Sequence, residues 1–83
     1  MKKPSSLTAR QVFARNLRRY RRVRDVSQEE LALEAGLSRS YVSGIERELR
    51  NVSIDNMGIL AEALGVPLKD LVDPDLFSTV EKR

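Results

Sequence analysis

The sequence predicts an all-α fold, a bundle of five helices. Three observations point there. Apolar residues recur at spacings of three and four in successive segments of the 83-residue chain. Thr8, Ser27, Ser38 and Ser53 stand ahead of four such segments, Gly36 and Gly65 close two of them, and Pro74 closes a fifth. Runs of alternating β-branched residues, the mark of strands, are absent, and there is no internal repeat.

Each element has its own signal. Residues 1–7 (MKKPSSL) read as a flexible arm, because Pro4 and two serines discourage regular structure. Thr8 is a candidate N-cap for a first helix to about Asp25, with Phe13, Leu17, Tyr20 and Val23 as its apolar face. Ser27 opens the second helix. In Ser27-Gln28-Glu29-Glu30 the hydroxyl takes the backbone N–H three residues on, and Glu30 reaches back to Ser27. Gly36 stops that helix in the left-handed conformation that glycine adopts without a Cβ penalty. Ser38 caps a third helix to about Arg47, and residues 48–52 form a loop. Ser53 caps a fourth helix with Ile54, Met57, Leu60, Ala61 and Leu64 on one face, ended by Gly65. Pro67, suited to a first helical position, opens a short fifth helix carrying Leu68, Leu71 and Val72. The helical domain therefore spans residues 8–73, followed by a tail, 74–83, that holds Leu76, Phe77 and Val80.

The stretch Gln28 to Glu46 carries the most specific pattern. Two short helices meet at Gly36, and Ala32 is small where they must cross closely. Leu31, Ala35, Leu37, Val42 and Ile45 fall where such a pair turns inward, while Arg39, Ser40, Tyr41 and Ser43 are polar and point elsewhere. That is the pattern of a DNA-binding helix-turn-helix.

Composition excludes other chemistries. With no cysteine and no histidine, disulfides, thiolate zinc sites and histidine-based acid/base catalysis are ruled out. No apolar run reaches the length of a membrane span, so a cytoplasmic protein without membrane contact is expected. The serines are explained as caps, and no general base stands beside them, so neither enzymatic activity nor a cofactor is expected. Charge is uneven: residues 1–25 carry nine Lys/Arg against Asp25 alone, and residues 26–83 carry six against eleven Asp/Glu. A basic end suggests a polyanion partner; the alternative is a solvated helix paired with acidic neighbours such as Glu29, Glu30 and Glu34.

On the third helix, Val42 and Ile45 face the core and leave Arg39, Ser40, Ser43 and Gly44 on the opposite face. Arg39 has the fork to donate two bonds to guanine O6 and N7. Ser40 and Ser43 are short donors and acceptors. Gly44 either lets DNA come close or is an ordinary helix defect costing about 1 kcal/mol. Tyr41, on the flank, either bonds a phosphate or base edge or packs against the first helix. Gln28 sits at a helix start, where free N–H groups and the helix dipole favour a phosphate. Arg50 and Asn51 follow the third helix and are placed to hold the next phosphates. Arg21 and Glu46, at helix ends near one junction, are expected to form a partly buried ion pair that orients the third helix.

With these residues the chain resembles the Xre-type helix-turn-helix regulators, which share the fold of lambdoid phage repressor and Cro proteins. The resemblance covers about residues 10–72. The stretch SRSYVSGIERELRNVSIDNMGILAEALGV is similar to the small controller proteins of restriction–modification systems. It implies a λ-repressor-like five-helix domain that binds a palindromic operator as a homodimer, with autoregulation typical of so small a regulator. It also implies backbone contacts by Gln28, Tyr41, Arg50 and Asn51, base contacts by Arg39, Ser40 and Ser43, and a buried pair of Arg21 with Glu46. Two positions depart from the pattern: Glu48 stands where glycine often ends the third helix, and Val52 where proline often precedes the fourth.

A dimer also follows from the apolar surplus of Leu68, Leu71, Val72, Leu76 and Phe77 at the C-terminal end; the alternative is that the tail folds over its own core. Lys2 and Lys3 either follow the DNA or are disordered. Arg15, Arg18, Arg19 and Arg22 either raise non-specific affinity or meet an acidic partner such as RNA polymerase or the second protomer. The competing function is an antitoxin or protein-interaction module built on the same fold.

Overall fold

A computed structural model describes residues 7–76. Five helices follow in order: α1 (Ala9–Val23), α2 (Gln28–Ala35), α3 (Arg39–Glu46), α4 (Ile54–Leu64) and α5 (Leu68–Leu71). There is no strand among the described residues. Helix α2 packs on α3 and α4, α1 on α3 and α5, and α4 on α5. The expectations for Lys2, Lys3, Phe77 and Val80 lie outside the described residues.

The helix starts follow from their caps. Thr8 Oγ1 accepts from the Gln11 N–H at 3.1 Å, and the Gln11 side chain accepts the Thr8 N–H at 2.9 Å. Ser27 and Glu30 make the same reciprocal pair at 3.0 and 2.8 Å. Ser38 and Ser53 each accept from the N–H three residues on, at 3.0 Å. Each cap stabilises its helix by about 1 kcal/mol.

The helix ends share one device. After α1, α2, α3 and α4 a residue turns left-handed: Asp25 (φ +59°), Gly36 (+71°), Glu48 (+67°) and Gly65 (+72°). The next N–H then reaches back to a carbonyl five residues earlier, as in Val26 to Arg21, Leu37 to Ala32, Leu49 to Gly44 and Val66 to Ala61, all at 2.9–3.0 Å. This is the Schellman closure. Two of the four positions are acidic residues where glycine costs least.

Phe13, Leu17, Leu31, Ala32, Val42, Ile45, Leu60, Ala61, Leu64, Val66 and Leu71 form one buried cluster. Three expectations need correction. Val23 is 72 % exposed. Beyond Leu17 the inward side of α1 carries Tyr20, packed on the core, and Arg21, which bonds Glu46, while the exposed Arg24 just past the helix reaches the Leu64 carbonyl at 2.8 Å. Ile54 is 64 % exposed, since the first turn of α4 projects past the core that Leu60, Ala61 and Leu64 enter. Pro67 is the cap residue before α5, not its first helical residue; its extended ψ of 144° turns the chain in from Val66.

Helix α5 is held by a group the apolar spacing does not reveal. Asn16, on α1, is 6 % exposed. Its Nδ2 lies 3.2, 3.2 and 2.8 Å from the carbonyl oxygens of Asp70, Leu71 and Asp73, where the short helix ends and the backbone bonds to Asp70 and Asp73 are long, 3.4 and 3.3 Å. Leu71 is thereby drawn fully into the core, so it is not available to a dimer interface as expected. Leu68 is half-buried against the same core, Leu76 is half-buried, and Val72 keeps about half its surface exposed.

Candidate nucleic-acid interface

Ser38 fixes where α3 begins, and Val42 and Ile45 fix which face it buries. What remains outside is its first turn. Arg39 and Ser40 are exposed, and Tyr41 and Ser43 are half-buried. Arg39 has no hydrogen-bonded partner among the described residues.

The other expected contacts are organised by neighbours. Tyr41 Oη accepts from Asn56 Nδ2 at 3.0 Å, so the ring is tied to the first turn of α4. The Arg50 guanidinium lies over that ring, 5.8 Å from its centroid. Asn51 Oδ1 accepts from Arg10 Nη2, which leaves its own Nδ2 as a donor. Gln28 differs from expectation: its amide donates to Glu46 Oε1 at 3.0 Å, drawing it toward the interior. The start of α2 also carries Glu29 and Glu30, and Ser27 already accepts the Glu30 N–H. The phosphate seat expected there is thus partly filled by the chain itself. Gly44 is also not the open position expected: it is buried, and the Arg50 side chain lies across it.

Arg21 and Glu46 meet through two bonds, Nε to Oε2 at 2.6 Å and Nη2 to Oε1 at 2.9 Å. The Glu46 side chain is 2 % exposed and that of Arg21 11 %. The hydrogen-bonded carboxylate holds the guanidinium above its ordinary pKa range, against the opposing effect of burial. Arg21 Nη1 also donates to the Val26 carbonyl at 2.7 Å, so one side chain joins α1, the α1–α2 turn and α3.

The remaining α1 cations were harder to place from sequence, and two of them prove to be structural. Gln11, Arg15, Arg18 and Arg21 follow at spacings of four, three and three, so they share a face of the helix. Arg18 Nη1 donates to the Glu46 carbonyl at 2.7 Å, capping the end of α3. Gln11 Nε2 lies 3.4 Å from Glu48 Oε1, and Arg15 Nε 3.8 Å from Glu48 Oε2. Glu48 therefore turns toward α1, and its left-handed backbone lets α3 end as a glycine would. Farther along α1, Tyr20 Oη donates to Asp70 Oδ2 at 3.2 Å; burial and this carboxylate raise its pKa above the usual tyrosine value.

This arrangement leaves one helix with a free arginine and two serines at its presented end, steadied from behind by a buried ion pair. Among the described residues no group of His, Cys, Asp and Glu is arranged to hold a metal, and no helix is long and apolar enough to cross a membrane.

Comparison with known proteins gives the same picture. The helix-turn-helix family matches residues 17–71. The control protein C.BamHI of Bacillus amyloliquefaciens is 46 % identical over 72 residues, which cover 86 % of this chain and 85 % of that protein. The crystal structure of the hypothetical transcription factor NHTF from Neisseria has a TM-score of 0.82 at 36 % identity, covering 100 % of this chain and 94 % of that one. SinR, a master regulator for biofilm formation solved in complex with DNA, has a TM-score of 0.70 at 35 % identity, covering 74 % and 98 % of the two chains. On fold, sequence and the arrangement of α2 and α3, the chain belongs to the helix-turn-helix family of transcriptional regulators, alongside the controller proteins of restriction–modification systems.

Proposed function

We propose that this protein regulates transcription by binding a palindromic operator as a homodimer and controls its own promoter among its targets. The observation that carries this reading is the contrast among its arginines. Arg10, Arg15, Arg18, Arg21 and Arg24 are each engaged within the fold, whereas Arg39, like Arg22 and Arg47, is exposed with no partner among the described residues, and of these three it is the one on the first turn of α3. A major-groove helix reads bases from that turn. In this reading Arg39 donates to a guanine, Ser40 and Ser43 bond adjacent base edges, and Tyr41, Arg50 and Asn51 hold the backbone, with Gln28 steadying Glu46 from the edge of the site.

The dimer is supported by what the C-terminal end leaves uncovered. Val72 is half exposed and borders an apolar groove with Leu7, Val12, Phe13, Val52, Met57 and Pro74. A two-fold pair would set two α3 helices about 34 Å apart, one turn of DNA. The protein works where the DNA is, in the cytoplasm. Its likeness to the control protein C.BamHI and to a solved restriction–modification controller protein favours a role beside restriction–modification genes.

Footprinting on the DNA upstream of its own gene tests this reading, with Arg39→Ala as the comparison. Arg39→Ala is expected to cost about 1–3 kcal/mol at the protected site and to relax discrimination at one base position per half-site. Equal weakening on every sequence would remove Arg39 from base reading. An unprotected promoter would remove autoregulation.

A further inference from the structure

We infer that Gly44 is a positioning residue: its bare backbone is the seat of Arg50, and together with the Tyr41 ring it sets where the Arg50 guanidinium meets DNA. This rests on the reading of α3 and the loop after it as the DNA-facing surface.

Four observations converge on the seat. A Cβ at position 44 would stand 2.9 Å from Arg50 Cγ, 3.3 Å from Nε and 3.7 Å from Cδ, so the side chain lies directly on the glycine. Tyr41 and Gly44 are three apart on α3 and share a flank of the helix. The guanidinium carbon is 5.8 Å from the Tyr41 ring centroid, within reach of a cation–π attraction, and Asn56 anchors that ring through its hydroxyl. The chain is led to this place by its own backbone: the Leu49 N–H bonds the Gly44 carbonyl at 2.9 Å, and Glu48 takes the left-handed turn that makes the bond possible.

The consequence is preorganisation. An arginine on a free loop loses rotamer freedom when it binds a phosphate or base. Here the stem is already laid in a notch and the fork is stacked, while the residue stays exposed. A glycine in the middle of α3 is otherwise unfavourable, because alanine is the better helix former. The atom in the way of a methyl group is Arg50 Cγ, in the stem of an exposed side chain and with no backbone atom among the nearest three, so a methyl group is accommodated by turning that whole side chain away. Gly44→Ala should therefore fold, displace Arg50 and weaken binding.

The test is a double-mutant cycle on the full chain. Wild type, Gly44→Ala, Arg50→Ala and the double variant are titrated, across a range of salt, against the duplex that wild type selects from a random DNA pool. If wild type selects nothing, the DNA-binding reading itself has failed. Otherwise Gly44→Ala and Arg50→Ala each weaken binding by about ten- to a hundredfold. The double variant is no weaker than Arg50→Ala alone. If Arg50 meets a phosphate, each single variant lowers the slope of log affinity against log salt by about 0.9 for the one phosphate no longer neutralised. Without DNA, the Arg50 Nε–H resonance loses its ring-current shift in Gly44→Ala while the Tm holds or rises. Four results would overturn the inference: unchanged binding by Gly44→Ala, unchanged binding by Arg50→Ala, loss of fold in Gly44→Ala, or an equal penalty from Gly44→Ala with and without Arg50. The last would mean that DNA approaches the glycine itself.

Discussion

Replacing Arg21 with methionine leaves the Glu46 carboxylate buried with only the Gln28 amide as a side-chain donor. The cost can be worked from the geometry. Two hydrogen bonds to a charged group disappear, at 2.6 and 2.9 Å, each contributing about 1.5–3 kcal/mol. The carboxylate that remains is 2 % exposed, so water does not replace them without opening the core. Together these give about 3–6 kcal/mol, which spans the range of about 3–5 kcal/mol for breaking a buried pair from one side. A domain of this length has a total stability of about 4–12 kcal/mol, so Arg21→Met should remove a quarter or more of it. Removing both charges, in Arg21→Met with Glu46→Leu, should recover most of the loss, because no unpaired charge is then buried. Urea denaturation of the four proteins reads this directly. A loss below about 1 kcal/mol for Arg21→Met, as for an exposed pair, would refute the claim that this ion pair holds α1 to α3.

Three further outcomes follow from other interactions. Asn16→Leu should cost about 1–3 kcal/mol by leaving the Leu71 carbonyl without a donor and those of Asp70 and Asp73 with only the long backbone bonds at 3.4 and 3.3 Å, and hydrogen exchange should quicken around Leu71 and Val72 before it does in α2. Glu48→Gly should leave the Tm unchanged or raise it. Relieving a left-handed non-glycine residue gains about 1–2 kcal/mol, and the interactions with Gln11 and Arg15 that the variant forgoes, at 3.4 and 3.8 Å, are weak. The Tyr20 phenol has a folded pKa above its unfolded value of 10.0, so its contribution to stability is full below that pH and is lost as pH rises through the folded value. The stability difference between wild type and Tyr20→Phe, measured in urea from about pH 8 to 11.5, should shrink along that range.

The helices were legible in the sequence because their signals are local. Thr8, Ser27, Ser38 and Ser53 each act through a backbone N–H three residues away, and Gly36 and Gly65 act through their own φ. Asp25 and Glu48 perform the same closure without glycine's signature. What sequence hid was polar and long-range. Asn16 caps a helix more than fifty residues away, and Arg15 and Arg18 reach the end of α3. In composition they were indistinguishable from a solvated basic surface; only their spacing with Gln11 and Arg21 hinted at a shared task. Val23 misled because it continued an apolar repeat whose inward place Arg21 takes instead. The exposed placement of Arg39 and Ser40 on the first turn of α3 was legible, because Ser38 caps that helix. That Arg50 lies across Gly44 was not legible, because a glycine shows what it lacks and not which side chain fills the space.

Base reading by the first turn of α3 is tested most directly by selecting binding sites from a random DNA pool with the purified protein at moderate salt. The expected result is enrichment of one short palindrome with a guanine in each half, whose preference disappears when Arg39 becomes alanine. Binding without enrichment of any sequence would contradict this, and would mean that the exposed first turn of α3 does not read DNA bases.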